Sequence, residues 1–359
     1  MSSSERIPLW VFGARGMLAG ELFRLLELHP GLALAGAVSR SESDLREAHP
    51  HLAIGPTPTV DAERAEDALC AVLARGERAA VMLALPHGES VATWQRLRER
   101  AGAAAETLHL VDFAADYRLR DPDLYRAAYG RTHPDPEALA GFVYGLPEHH
   151  RKRIQEARRV AAPGCFASAL QFAVLPTARA GVLDAARPWF FHGITGSSGS
   201  GNEPKPGTHH PWRHGNLWAY GLGGHRHEAE LVQALGEHGL APEIQFLPHS
   251  GPFARGIHLS ATVPLARPLS DDEATAIYAE AYAGEPFVSV LAEGAPDLRR
   301  VAGSNSVCLR AFVRGETLHV LVTLDNIVKG GAGQALQCLN LMLGMPETWG
   351  LPRSGSGVC

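Results

Sequence analysis

Residues 8–20 read Pro8-Leu9-Trp10-Val11-Phe12-Gly13-Ala14-Arg15-Gly16-Met17-Leu18-Ala19-Gly20. Pro8–Gly13 is a short apolar strand that breaks at a glycine turn. Beyond the turn, Leu18, Leu22, Leu25, Leu26 and His29 recur at helical spacing, and Pro30-Gly31 closes the helix. Leu32–Val38 is a second apolar strand, ending in Ser39-Arg40-Ser41. Strand, glycine turn, helix and strand within roughly 30 residues form a βαβ unit of the dinucleotide-binding kind. Gly13 and Gly16 let the backbone turn tightly and bring N–H groups toward a pyrophosphate. Arg15 stands where G-x-G-x-x-G has its second glycine, so a plain structural turn competes with this reading. The flanking strands and helix favour the nucleotide. At the tip of the second strand an NAD site usually places an acid for the ribose hydroxyls. Here Ser39 and Arg40 suit a 2′-phosphate and favour NADP, while Glu42 is the acid that could still reach a ribose.

The alternation continues outward from this unit. Ala79–Leu85 reads as a buried parallel strand, followed by Pro86-His87-Gly88-Glu89-Ser90 and a helix to about Gly102. His109–Phe113 is the next strand and runs into Ala114–Leu119. Loops after the carboxyl ends of such strands line a ligand crevice, which makes 86–90 and 114–118 candidates. Asp116 and Arg118 could contact a substrate or form a structural ion pair. From about residue 165 the character changes. Trp189–Thr195, Ile244–Leu247, Gly256–Leu265, Ser306–Val313 and Thr317–Leu324 are β-rich, with helical stretches at 226–238 and 271–283. The expectation is α/β: a Rossmann-type domain plus an α+β domain on a mixed or antiparallel sheet. The last stretch is a glycine-rich turn, Lys329-Gly330-Gly331-Ala332-Gly333, and a helix through Leu343.

A chain of 359 residues is long for one core and points to two domains. Its 45% apolar and 20% charged residues are those of a globular protein. A net charge of −5 argues against a nucleic-acid partner. No apolar run approaches the ~18 residues of a membrane span, and Met1–Pro8 carries no signal pattern. Cys70, Cys165, Cys308, Cys338 and Cys359 are scattered, which suits free thiols in a reducing cytoplasm.

Four features carry the chemistry. In Ala161-Ala162-Pro163-Gly164-Cys165-Phe166-Ala167-Ser168, a strand meets a helix at the cysteine. A helix start favours the thiolate, a ready nucleophile; a buried structural thiol is the alternative. In His225-Arg226-His227-Glu228-Ala229-Glu230, His227 and Glu230 share a helix face, and a carboxylate can orient an imidazole as acid/base. Arg255, beside Gly256, can fork onto a carboxylate or phosphate, or form an inter-domain salt bridge. The polar, glycine-rich loop Ser197–Gly201 suits close approach to a ligand or another chain. His209, His210, His214, His225 and His227 lack the tight ligand pairs of a zinc site, so no metal is expected.

Taken together the motifs resemble N-acetyl-γ-glutamyl-phosphate reductase, within the aspartate-semialdehyde-dehydrogenase-like superfamily. The matching segments are Gly13–Gly20 with Leu28-His29-Pro30, Leu85–Gly88, Asp112–Leu119, Val143–Glu148, Pro163-Gly164-Cys165, Ser197–Gly201, His225–His227 with Glu230, Pro248–Ile257, and Asp325-Asn326 with Lys329–Gln334. They span nearly the whole chain in the family's order. The resemblance implies an NADP-binding domain over 1–164, a catalytic and dimerisation domain over 165–327, and a C-terminal segment, 328–359, returning to the first. It implies Cys165 as nucleophile and His227 as acid/base, with His225 the alternative. Substrate contacts are expected at Arg255, Glu230, Arg118 and Ser198. The cofactor, NADP, is expected at Gly13, Arg15, Gly16, Met17, Ser39, Arg40, Pro86, Lys329 and Gly330. The implied reaction is NADPH-dependent reductive dephosphorylation of an N-blocked γ-glutamyl phosphate through a cysteine thioester, by a cytoplasmic homodimer or homotetramer. The family reads Cys-Tyr-Pro-Thr where this chain has Cys165-Phe166-Ala167-Ser168. The stretch Glu203–Arg213 looks more like a sister branch that acts on carrier-protein-bound glutamyl or aminoadipyl phosphate, for lysine or ornithine synthesis.

Overall fold

The computed structural model describes residues 6–357. The chain divides into two units. The first runs to Arg126 and adds Arg131–Pro163 and Gly331–Leu351; the second holds Ala127–Gly130, Gly164–Gly330 and the segment from Pro352. The sequence reading placed all of 328–359 with the first unit. Instead Pro352 accepts the Asn305 amide (2.8 Å) and Arg353 the Ser306 hydroxyl (2.6 Å), both within the second. Residues 1–5, Val358 and Cys359 lie outside the described residues.

The first unit is built on six parallel strands: β1 (Ile7–Phe12), β2 (Leu32–Val38), β3 (Ala80–Leu83), β4 (His109–Asp112), β5 (Val143–Tyr144) and β6 (Arg159–Ala161). Their order is β2-β1-β3-β4-β6-β5. Strands covered on both faces read as unbroken apolar runs, and all four residues of β3 are fully buried. Trp10, Phe12, Leu69, Leu83, Trp94 and Leu110 join sheet and helices in one core. The helix Gly333–Met342 belongs here, buried along its whole length. Its Gln334 Nε2 donates to the Gly145 carbonyl (2.7 Å), and Asn340 Oδ1 lies 2.9 Å from His29 Nε2.

The second unit carries a seven-stranded mixed sheet: β7 (Trp189–Thr195), β8 (Trp218–Ala219), β9 (Ile244–Ser250), β10 (Ile257–Pro264), β11 (Val288–Val290), β12 (Val307–Arg314) and β13 (Thr317–Leu324). The order is β11-β12-β13-β10-β7-β9-β8, with β7–β9 and β11–β12 parallel and the other pairs antiparallel. One face is covered by the helix Cys165–Arg179, which meets β10 and β13. One-sided cover produces the alternating burial along β7 and β10. Among the described residues no helix is long and apolar enough to cross a membrane.

Candidate active site

In the first unit, β1 ends at Gly13, whose φ is +81°, a region open to glycine. A Cβ there would lie 2.2 Å from the Ala84 carbonyl oxygen, so only glycine lets the two strand ends pass. Gly16 then caps the helix Met17–Leu26 without any side-chain bond to its first amides. Arg15 reaches across to the end of β2 and donates to Ser41 Oγ (3.0 Å) and Ser43 Oγ (3.2 Å). Arg40 is 91% exposed at the same strand end. Glu42, the competing ribose ligand, stands 3.7 Å from Arg64. This strand end therefore carries two guanidinium groups, those of Arg15 and Arg40, and the hydroxyls of Ser41 and Ser43. Ser39, Met17 and Pro86 lie at the mouths of these same strand ends.

After β3, Gly88 (φ +99°) donates its amide to both oxygens of Asp116 (3.0 and 2.9 Å), and His87 Nδ1 lies 2.7 Å from Asp116 Oδ1. Burial alone would raise the Asp116 carboxyl. His87, the Gly88 amide and Arg131 outweigh it and hold the group below its ordinary value. Arg118, expected at the substrate, gives Nε to the Ala162 carbonyl and Nη2 to that of Phe113, both at 2.8 Å. It braces the ends of the strands.

In the second unit Cys165 is the first residue of its helix, with Gly164 as N-cap and no capping side chain. The Gly164 amide donates to Glu230 Oε2 (3.0 Å), and Glu230 has no exposed surface. Glu230 therefore holds the backbone of the cysteine's turn. A Cβ on Gly164 would lie 2.3 Å from His227 Nε2, so the imidazole rests against the residue before the thiol. Gly330 closes the other side: a Cβ there would lie 2.6 Å from the Cβ of Cys165. Gly330 thus bounds the thiol in this unit. Lys329, expected at the cofactor, is fully buried, with Nζ 5.6 Å from the Phe172 ring centroid and 5.8 Å from that of Phe287.

The two histidines differ electrostatically. Burial, then the charge of Arg226, pulls His225 down to about 4, so it is neutral at neutral pH. Its Nδ1 accepts the backbone N–H of His227 (3.2 Å), and the rings meet edge to face at 4.6 Å. Burial, and then the charge of Cys165, raises the Tyr220 phenol. Phe166 packs at 5.9 Å from the His225 ring and 6.5 Å from that of His227.

Arg255 gives Nε to Asp325 Oδ2 (3.0 Å), a carboxylate of the same unit. Ser198 accepts at Oγ from Asn326 Nδ2 (2.8 Å) and gives its amide to the Ala254 carbonyl (3.0 Å). Loops 196–200 and 253–256 are therefore tied together. Among the described residues no group of three or more His, Cys, Asp or Glu side chains could hold a metal ion.

A model of the semialdehyde dehydrogenase NAD-binding domain matches residues 9–157, and one of the semialdehyde dehydrogenase dimerisation domain matches 165–326. An N-acetyl-γ-glutamyl-phosphate reductase of Thermus thermophilus is 40% identical, over 96% of this chain and 99% of that protein. The chain belongs to the N-acetyl-γ-glutamyl-phosphate reductase family of semialdehyde dehydrogenases. A second relative in Thermomicrobium roseum, named putative [LysW]-L-2-aminoadipate 6-phosphate reductase, is 37% identical over 97% of this chain and 98% of its own. Among solved structures, aspartate semialdehyde dehydrogenase II from Vibrio cholerae shares the fold, with a TM-score of 0.65, 13% identity, and cover of 94% of this chain and 98% of that one.

Within this family member, sequence reasoning gave no role to Asp325, Asn326 or Phe166. Asp325 and Asn326 left a signal, two polar residues directly after an apolar strand. Phe166 left none, because a phenylalanine after a helix start looks like any core residue.

Proposed function

We propose that this semialdehyde dehydrogenase is an NADPH-dependent reductase that converts N-acetyl-L-glutamyl 5-phosphate to its semialdehyde in arginine biosynthesis. The Cys165 turn carries the reading: a thiol on the first residue of a helix, with His227 Nε2 against Gly164. Relatives named for this reaction at 36–40% identity support it. The first unit's residues fit the cofactor. The Gly13 cradle leaves no room for a side chain, the Gly16 helix start presents uncapped amides, and Arg15, Arg40, Ser39 and Ser41 suit a 2′-phosphate.

The chemistry follows from these placements. The helix start favours the Cys165 thiolate and supplies N–H donors for an oxyanion on the attacked carbon. His227 accepts the thiol proton at Nε2. The sulfur bonds to the acyl carbon, the carbon–oxygen bond to phosphate breaks, and His227 passes its proton to the departing phosphate. A thioester remains on Cys165. Reduced NADP, when bound, supplies the hydride that brings this carbon to the aldehyde level. Collapse of the adduct breaks the carbon–sulfur bond, frees the semialdehyde and restores the thiolate. Arg255 binds a carboxylate or phosphate of the substrate, with Ser198 beside it. His225, neutral down to about pH 4, leaves the proton traffic to His227. Cys165→Ser is expected to lower reduction more than about 10³-fold while NADPH still binds, as fluorescence titration will report. Residual activity of more than a few per cent would sink the nucleophile.

The second reading is the same reaction on a carrier-protein-bound glutamyl or aminoadipyl phosphate, in lysine or ornithine biosynthesis. The Thermomicrobium roseum relative favours it. So does the stretch 204–227, which holds Lys205, Arg213, Arg226 and five histidines but no acid. Steady-state rates separate the two: saturable turnover of N-acetylglutamyl phosphate supports the first, and turnover of carrier-bound substrate alone the second. In either case we assign a cytoplasmic homodimer or homotetramer, assembled through the 165–326 domain.

A further inference from the structure

Asp325 follows directly on β13 and is fully buried. Each of its carboxylate oxygens receives two donors. Oδ1 accepts the amides of Ile327 (2.9 Å) and Val328 (3.0 Å). Oδ2 accepts the Gly303 amide (2.6 Å) and Arg255 Nε (3.0 Å). Its own carbonyl accepts the Gly330 amide (2.8 Å), which closes a turn on the residue that abuts Cys165. The neighbouring Asn326 accepts the Gly256 amide at Oδ1 (2.7 Å), next to Arg255. One residue therefore acts twice: its carboxylate sets where the Arg255 guanidinium stands, and its backbone carbonyl holds Gly330, the residue that stops against the cysteine. A guanidinium is planar, so fixing Nε fixes the direction of the whole fork. A buried charged hydrogen bond is stiff as well as strong.

We propose that Asp325 is a positioning residue of the reaction: through Nε it holds the Arg255 fork where the substrate's anionic group must lie for the acyl carbon to reach Cys165. This rests on the reading of Cys165 as nucleophile and Arg255 as anion ligand. Both are held within one unit by the same short turn, which ties the anion site to the thiol.

Asp325→Asn, Arg255→Lys and Arg255→Gln test it. Asparagine keeps the shape but loses the charge and one acceptor. Lysine keeps the cation but has no Nε donor in a fork. Two readouts are needed, KM against kcat for the acyl phosphate, and the ratio of Cys165 alkylation by iodoacetate to that by iodoacetamide, followed by peptide mass mapping. All three variants are expected to raise KM about tenfold or more and to lower kcat less than about threefold. All three should also lower the alkylation ratio about fivefold, since only the anionic reagent is guided by the fork. Asp325→Glu, which keeps a carboxylate for Nε, should recover part of both. If Arg255→Gln moves both readouts while Asp325→Asn and Arg255→Lys leave them at wild-type values, the tether is overturned and Arg255 stands. If Arg255→Gln moves neither, the reading of Arg255 falls and the proposal with it. A fall in kcat alone in Asp325→Asn, with KM and ratio unchanged, marks ordinary structural support and also overturns it. Should Asp325→Asn fail to fold, Asp325→Glu decides: a carboxylate displaced by one methylene leaves Arg255 itself intact, so a partial rise in KM with a partial fall in the ratio supports the tether and wild-type values for both overturn it.

Discussion

The helices Met17–Leu26 and Cys165–Arg179 both begin on a glycine in extended conformation, Gly16 at φ −73°, ψ 156° and Gly164 at φ −66°, ψ 146°, and neither has a side-chain cap. Both follow a parallel strand, β1 in one case and β6 in the other. They differ in what covers them. Next to Gly16 stands Arg15, exposed and cationic, which reaches the end of β2 where Arg40 is exposed as well. Around Gly164 the neighbours are a buried carboxylate on the amide and an imidazole on the Cα. An open rim of amides and guanidinium groups suits a soluble phosphate. A covered start holds the residue that follows it between fixed neighbours. In the function proposed above, the same backbone device serves as an anion cradle in one unit and as a nucleophile's seat in the other.

The contrast can be broken at the glycines themselves. Gly164→Ala drives a Cβ to 2.3 Å from His227 Nε2 and must displace the ring. A misplacement of this size is expected to lower kcat about 100-fold, measured at saturating substrate. Gly16→Ala meets the Gly13 carbonyl oxygen at 3.3 Å and that of Ala84 at 3.8 Å, so a shift of a few tenths of an ångström relieves the tighter contact. Its expected effect is a severalfold rise in KM for NADPH with kcat intact. Equal responses at the two positions would refute the difference drawn between them.

A smaller effect sharpens the cationic side. Arg15→Ser with Arg40→Ser removes both guanidinium groups and should lower the preference for NADPH over NADH about tenfold, read as a ratio of kcat/KM values. An unchanged ratio would move the 2′-phosphate elsewhere.

The smallest prediction concerns stability in the first unit. Burial raises the Asp112 carboxyl from its usual 3.8 to about 7, against the Ser90 hydrogen bond and with help from the charge of Asp116. The folded chain therefore holds this proton more tightly than the unfolded chain does. The stability it contributes is complete below about pH 4 and is lost as pH rises through 7. Asp112→Asn cannot ionise, so its Tm between pH 4 and 8 should fall less steeply than that of the wild type, by a few degrees over the range. Parallel Tm profiles would exclude this assignment.

Much of the scaffold was legible because its signals are local. Leu18, Leu22, Leu25 and Leu26 announce a helix, and the apolar run at 79–85 a strand buried on both faces. Cys165 was legible as a helix start for the same reason. The long-range bonds were not. Spacing of three put Glu230 on the face of His227 and suggested that it orients the ring. One oxygen of that carboxylate accepts the Gly164 amide, a partner that only the packing of two helices brings near. Asp325 meets Arg255 because β10 and β13 run antiparallel with Ile257 opposite Leu324, and that register is invisible in either strand alone. The burial of Lys329 was not legible either, since a lysine in a glycine-rich turn carries no local sign of it. Here two aromatic rings make a buried ammonium tolerable.

The helix Gly333–Met342 sets the order in which the protein can form on the ribosome. It fills the core of the first unit with ten consecutive buried residues, although that unit's sheet is complete by Ala161. The nascent nucleotide unit emerges first and waits, missing part of its interior, while all the strands of the second unit are made. The unit begun earliest is finished nearly last, so throughout the synthesis of the second unit's sheet the chain carries an open apolar groove that its own distant end must fill.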